Sequence, residues 1–73
     1  MTLPVIKSKD LEKIILKLGF NKIRQKGSHA FYKHADGRYT TIPHHPGRDL
    51  SPILLLKILK EIRVTKEEFE RLI

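Results

Sequence analysis

The stretch "HAFYKHADGRYTTIP", residues 29–43, decides the fold. Two runs rich in aromatic and β-branched residues flank Ala35-Asp36-Gly37, and Asp-Gly is the dipeptide that best tolerates the positive φ angles of a type I′ hairpin turn. A two-residue loop at Asp36-Gly37 predicts a register with Phe31 opposite Ile42, Tyr32 opposite Thr41, Lys33 opposite Thr40 and His34 opposite Tyr39. Phe31 and Ile42 then face the core, and Tyr32, His34, Tyr39 and Thr41 face away from it. The same register brings His29 near His44 at the open end of the hairpin.

Upstream of the hairpin, Phe20 to Gln25 suits a short strand, separated from the first hairpin strand by Gly27-Ser28. Before it, Ser8 is an N-cap candidate, Asp10 falls in a first helical turn, and Leu11, Ile14, Ile15 and Leu18 recur at helical spacing until Gly19 stops the run. Downstream, Pro and Gly make "HHPGRDL" a loop. Ser51 as N-cap and Pro52 at the first helical position then open a helix through about Ile62, apolar over a wide face. Thr65 and Glu68 form a capping box, with Val64 and Phe69 at the spacing of a hydrophobic staple, so a short terminal helix follows. The predicted order is helix, three strands, helix, short helix. That is an α+β domain in which a three-stranded antiparallel sheet packs two helices on one side and leaves the other open.

With 73 residues, the chain reads as one domain over 1–73, small enough to bury only about 60% of its unfolded surface. It has no cysteine, which removes disulfides and thiolate metal sites and suits a reducing, cytoplasmic compartment. The apolar run in "MTLPVIKSKD" is too short for a signal peptide, and the aliphatic run Ile53 to Leu56 is far from spanning a bilayer, so a soluble protein without a membrane partner is expected. The net charge is +7, and all of the excess lies between Lys13 and Arg48, where eight basic residues face one acid, Asp36. Charge concentrated in this way attracts a polyanion, although a lysine-rich surface also serves solubility alone.

Four histidines, at 29, 34, 44 and 45, are the residues able to carry chemistry. No metal-ligand spacing joins them: His44 and His45 are adjacent, so on an extended segment they point to opposite faces, and no helical His-x-x-x-His pair exists. Metal and other cofactors are therefore not expected. Ser28 beside His29 is poorly placed for a nucleophilic triad, and paired carboxylates are missing from the basic segment. On RNA, a lone imidazole suffices: it can take the proton of a 2′-hydroxyl that attacks the adjacent phosphorus, while Lys or Arg charge stabilises the phosphorane. A solvent-exposed strand histidine behind a glycine turn explains the same residues, and residue chemistry alone leaves both readings open.

The sequence resembles the HicA-type toxins of bacterial and archaeal toxin-antitoxin systems. The likeness is carried by a first helix ending "KLGF", then "RQKGSHAFYKHADGR", "TTIPHH", a Leu/Ile-rich helix and a closing "TKEEF". It implies a double-stranded-RNA-binding-domain-like αβββα fold and a metal-independent endoribonuclease, an mRNA interferase that inhibits translation and growth. It further implies His29 as catalytic base, Gly27 and Ser28 as the same motif's phosphate pocket, and His45 of Pro43-His44-His45 at a recurrent position with an acid/base or phosphate-binding role. Lys22, Arg24, Lys26 and Lys33 are the candidates for RNA-backbone contacts. The implied partners are single-stranded or ribosome-associated mRNA and a cognate HicB-type antitoxin. A glycine common in the family before the final short helix is Arg63 here. The segment "SPILLLK" lacks the lysine cluster with which a duplex-binding domain grips phosphates. The alternative reading is a non-catalytic RNA-binding module of the same fold; a third is a protein-interaction domain.

Overall fold

In the computed structural model, which describes residues 4–73, the chain runs α1 (Ser8–Lys17), β1 (Asn21–Lys26), β2 (His29–Lys33), β3 (Tyr39–Pro43), α2 (Pro52–Ile62) and α3 (Lys66–Leu72). The three strands form one antiparallel sheet in the order β1-β2-β3. This is the α+β, αβββα architecture expected, with the short C-terminal helix in place.

The hairpin register differs from the expected one by a single residue. Ala30 pairs with Ile42, Phe31 with Thr41, Tyr32 with Thr40 and Lys33 with Tyr39. The cause is the loop. His34 and Arg38 close it through the His34 amide donating to the Arg38 carbonyl at 2.8 Å, so Ala35-Asp36-Gly37 form a three-residue connection. Gly37 has φ +100°, whereas Asp36 has not entered the left-handed region that a type I′ turn requires of both central residues. Asp36 instead uses its carboxylate, accepting from the Arg38 amide at 3.0 Å and the Arg38 Nε at 2.8 Å.

A slip of one residue turns every side chain of a strand to the other face. Ala30, Tyr32, Thr40 and Ile42 are buried under the helices. Phe31 lies outward, contrary to its expected core position, and Tyr32 is fully buried rather than open. His34 is also corrected: its ring packs edge-on against Phe20 with centroids 5.1 Å apart, on the helix side. Ile42 faces the core and Tyr39 and Thr41 face away from it, as expected.

The core unites Leu11 and Ile15 of α1, Phe20, the inward strand residues, Leu55, Ile58, Leu59 and Ile62 of α2, and Phe69 of α3. Ile53, the first residue of the aliphatic run in α2, is 82% exposed. Ser8 is not the N-cap of α1. Lys7 occupies that position without a side-chain cap, and the Ser8 hydroxyl donates to the Pro43 carbonyl at 2.6 Å, pinning the helix start to the end of β3. Ser51 does cap α2, accepting from the Leu54 amide at 3.2 Å, and Thr65 and Glu68 form the reciprocal capping box of α3.

The junction between α2 and α3 contains the one non-glycine residue of positive φ among the described residues, Arg63 at φ 57°, ψ 46°. An L side chain in the left-handed region costs on the order of 1–3 kcal/mol, against the roughly 0.5–1 kcal/mol of extra chain entropy that glycine loses on folding. Arg63→Gly is therefore expected to stabilise the protein by about 1 kcal/mol, raising the thermal midpoint by about 4–8 °C. A calorimetric melt of the two proteins checks this, and an unchanged or lower midpoint refutes it.

Candidate active site

Alternation along the strands divides the sheet into two chemically different faces. On the open face the register stacks three rows: Lys26, His29 and Pro43; Arg24, Phe31 and Thr41; Asn21, Lys33 and Tyr39. His29 is exposed at the first position of β2. The Arg24 guanidinium lies over the Phe31 ring, 4.8 Å from its centroid. Three of the four basic residues expected near the RNA backbone, Arg24, Lys26 and Lys33, thus share a face with His29, and none of these rows contains an acid.

Lys22, the fourth, does not. The pairing shifts between Lys22 and Arg24, so Ile23 is an extra residue in β1. Such a bulge reverses the facing of whatever precedes it. Lys22 therefore points to the helix side, where its Nζ lies 3.3 Å from Glu12 Oε2.

Gly27 and Ser28 form the two-residue connection between the paired Lys26 and His29. Gly27 has φ +60° and Ser28 does not have positive φ, the pattern of a type II′ turn, whose first position favours glycine. A Cβ on Gly27 would meet nothing within 4 Å, so backbone conformation rather than crowding by the protein requires the glycine. Both turn carbonyls are occupied: Gln25 Nε2 donates to Gly27 at 3.0 Å, and the His44 amide donates to Ser28 at 2.6 Å. The turn leading into His29 is thereby tied to both neighbouring strands.

Pro43, not His44, sits opposite His29, a second consequence of the register. His44 turns to the helix side and His45 is exposed beyond it. Both line a cleft of about 440 Å³ with Lys7, Lys9, Lys22 and Gln25. At the floor of this cleft is a polar chain that the sequence reading missed. The buried Tyr32 hydroxyl donates to the Glu12 carboxylate, and His44 Nε2 lies 2.8 Å from the Tyr32 hydroxyl oxygen. Since the phenol has one proton and gives it to Glu12, its oxygen accepts from His44, which places the imidazole proton on Nε2. With a three-residue loop assumed, the alternation would have turned Tyr32 inward, and its hydroxyl would have needed a partner such as Glu12, beside the buried Leu11.

The hydrogen bond from Tyr32 holds the Glu12 carboxyl below the usual range, against the opposing effect of burial. Burial, then the bond to Glu12, pushes the Tyr32 phenol up. Burial pulls His44 down despite the attraction of Glu12. Among the described residues no three His, Cys, Asp or Glu side chains converge as metal ligands, and no helix is long and apolar enough to cross a membrane.

The family model of the HicA toxin of bacterial toxin-antitoxin systems matches residues 8–64. The chain belongs to the HicA toxin family. A search of curated protein sequences returned no match. The HicA match begins at the first residue of α1 and ends just after Arg63, so it takes in both faces of the sheet, all of α2 and the cleft apart from Lys7. Family membership makes this chain the toxin component of a toxin-antitoxin system and implies a cognate antitoxin as its partner.

Glu12 and His44 both release protons more readily in the folded chain, so the unfolded state binds more protons and stability falls with acidification. The His44 contribution declines as pH drops through its ordinary value of 6.5, and the Glu12 contribution is lost below its ordinary 4.5. Denaturant melts across this range are expected to show two acid steps. His44→Gln removes the upper one. Tyr32→Phe lowers neutral-pH stability by about 1–3 kcal/mol and weakens the lower step. A pH profile identical in Tyr32→Phe and the parent refutes the assignment.

Proposed function

We propose that this HicA toxin is a metal-independent endoribonuclease that cleaves mRNA on the open face of its sheet, with His29 as general base. The observation that carries this reading is the row arrangement. His29 stands opposite Lys26, with Arg24 and Lys33 in the rows behind it, on a face whose paired positions contain no carboxylate. Such a surface attracts a phosphodiester backbone and does not repel it locally.

Imidazole is the side chain whose charge changes near neutral pH, so the neutral ring can accept the 2′-hydroxyl proton. The 2′-oxygen then forms a bond to phosphorus as the bond from phosphorus to the 5′-oxygen breaks. The leaving oxygen takes up a proton from the imidazolium or from water. The products are a 2′,3′-cyclic phosphate and a 5′-hydroxyl end. Lys26, in the same row, offsets the charge that builds on the phosphorane. The Gly27-Ser28 turn, its carbonyls already engaged, presents its amides and the Ser28 hydroxyl beside that phosphate. Lys22 and His45 serve a neighbouring part of the backbone from the cleft, with His45 as the candidate for a second acid/base or phosphate-binding group. Occlusion of this face by the HicB-type antitoxin accounts for neutralisation of the toxin, and cleavage of mRNA for arrest of translation and growth.

Replacement of His29 by Ala is expected to lower cleavage by about two to four orders of magnitude while RNA affinity stays within about threefold. A 2′-deoxy substitution at the cleaved nucleotide abolishes the reaction, and EDTA leaves it unchanged. Full activity of His29→Ala overturns the mechanism. Wild-type protein that binds RNA and leaves it whole identifies a binding module instead.

A further inference from the structure

We propose that Arg24 and Phe31 form a nucleobase-stacking subsite that restricts the substrate of the His29 centre to single-stranded RNA, an inference that rests on the RNA-cleaving reading. Phe31 is a large apolar ring turned away from a core that Tyr32, Ala30, Thr40 and Ile42 already fill from the same two strands. It is partly exposed, and its cover is the Arg24 guanidinium at 4.8 Å. Two planar groups suited to stacking on a base, one of them cationic, are therefore held one above the other on the open sheet.

The position matters as much as the composition. Phe31 and His29 are two residues apart on one face of β2, a separation of about 7 Å, so a base seated at Phe31 leaves its flanking phosphate within reach of the imidazole. Lys26 and Lys33 border the pair on either side along the strands, and Tyr39, 64% exposed, extends the aromatic surface in the next row. A duplex buries the faces of its bases in its own stack and can offer this surface only its backbone. A single strand offers a base face and a phosphate together. Because every base has a π-face, the subsite accepts all four bases with modest preference.

The chain has no tryptophan, so Phe31→Trp supplies a single fluorescent reporter. In full-length protein with His29→Ala, which keeps the RNA intact, titration with a single-stranded oligoribonucleotide is expected to quench this reporter, and the same sequence as a duplex to leave it nearly unchanged. In the same background, Phe31→Leu keeps an apolar strand residue but removes the π-face. It is expected to weaken single-strand affinity about ten- to a hundredfold, with the thermal midpoint measured alongside to show that the fold survives. Affinity of Phe31→Leu within about twofold of its parent, or equal quenching by single strand and duplex, overturns the subsite. Phe31→Leu that loses antitoxin binding but keeps RNA affinity overturns it in favour of a protein contact. Wild-type cleavage is assayed separately: quenching without cleavage retains the subsite and removes the nuclease reading, whereas cleavage with unaltered Phe31→Leu affinity removes the subsite alone.

Discussion

The loop Ala35-Asp36-Gly37 sets the phase of β2 against β3, and both faces of the sheet depend on that phase. Because Gly37 alone takes the left-handed conformation, the connection has three residues and the pairs sum one lower than a type I′ turn would give. Tyr32 and Thr40 go inward, where Tyr32 meets Glu12 and His44 and Thr40 Oγ1 donates to Glu61 at 2.8 Å. His29, Phe31 and Lys33 go outward. The alternative register would leave the Tyr32 hydroxyl in solvent and bury Phe31 in its stead, and Glu12 would have no phenol against which to lie. A polar ring buried with both its hydrogen-bonding capacities met contributes to the uniqueness of the packing as well as to its stability.

The bulge at Ile23 makes a second, smaller change of phase. Without it, Lys22 would join Arg24 and Lys26 on the open face. With it, Lys22 closes over Glu12, and one cation leaves the open face for the cleft. The excess charge of the middle segment is thus divided between two surfaces that meet where the Ser28 carbonyl accepts the His44 amide. A partly exposed pair such as Lys22 and Glu12 contributes little to stability by itself, so its consequence is mainly one of placement.

Much of this was legible in the residues. The element order, the Gly19 stop, the Ser51-Pro52 helix start and the Thr65–Glu68 capping box follow from local chemistry, and local chemistry survives packing. The hairpin itself was legible from its Asp-Gly, but its loop length was not. Gly37 in the left-handed region satisfies either turn, and only the choice made by Asp36 distinguishes them. Asp36, outside that region, accepts two bonds from Arg38, a side-chain interaction two residues along that a dipeptide rule does not see. Ser8 failed as a cap for a similar reason: the Pro43 carbonyl, 35 residues on, competes for its hydroxyl. At the site, Arg24, Lys26 and Lys33 fall on the face of His29 because they share its parity across a two-residue turn, a placement readable from the residues. The placement of Lys22 was not, because a bulge has no clear signature in six residues that are all exposed.

The contrast between the two histidines at this end of the sheet bears on how the open face can work. His44 is oriented by a phenol and a carboxylate and is kept neutral by burial, an arrangement suited to holding structure. His29 stands on the exposed face with a lysine opposite it and no carboxylate in its row. A carboxylate behind His29 would orient the ring but would also repel the phosphodiester, and on a surface open to water that repulsion is what an RNA strand would meet first. On the proposed RNA-cleaving reading, a strand bound among these cations would itself order the face, and the chemistry would depend on the turn before His29, held by the Gln25 and His44 contacts, more than on any group bonded to the imidazole.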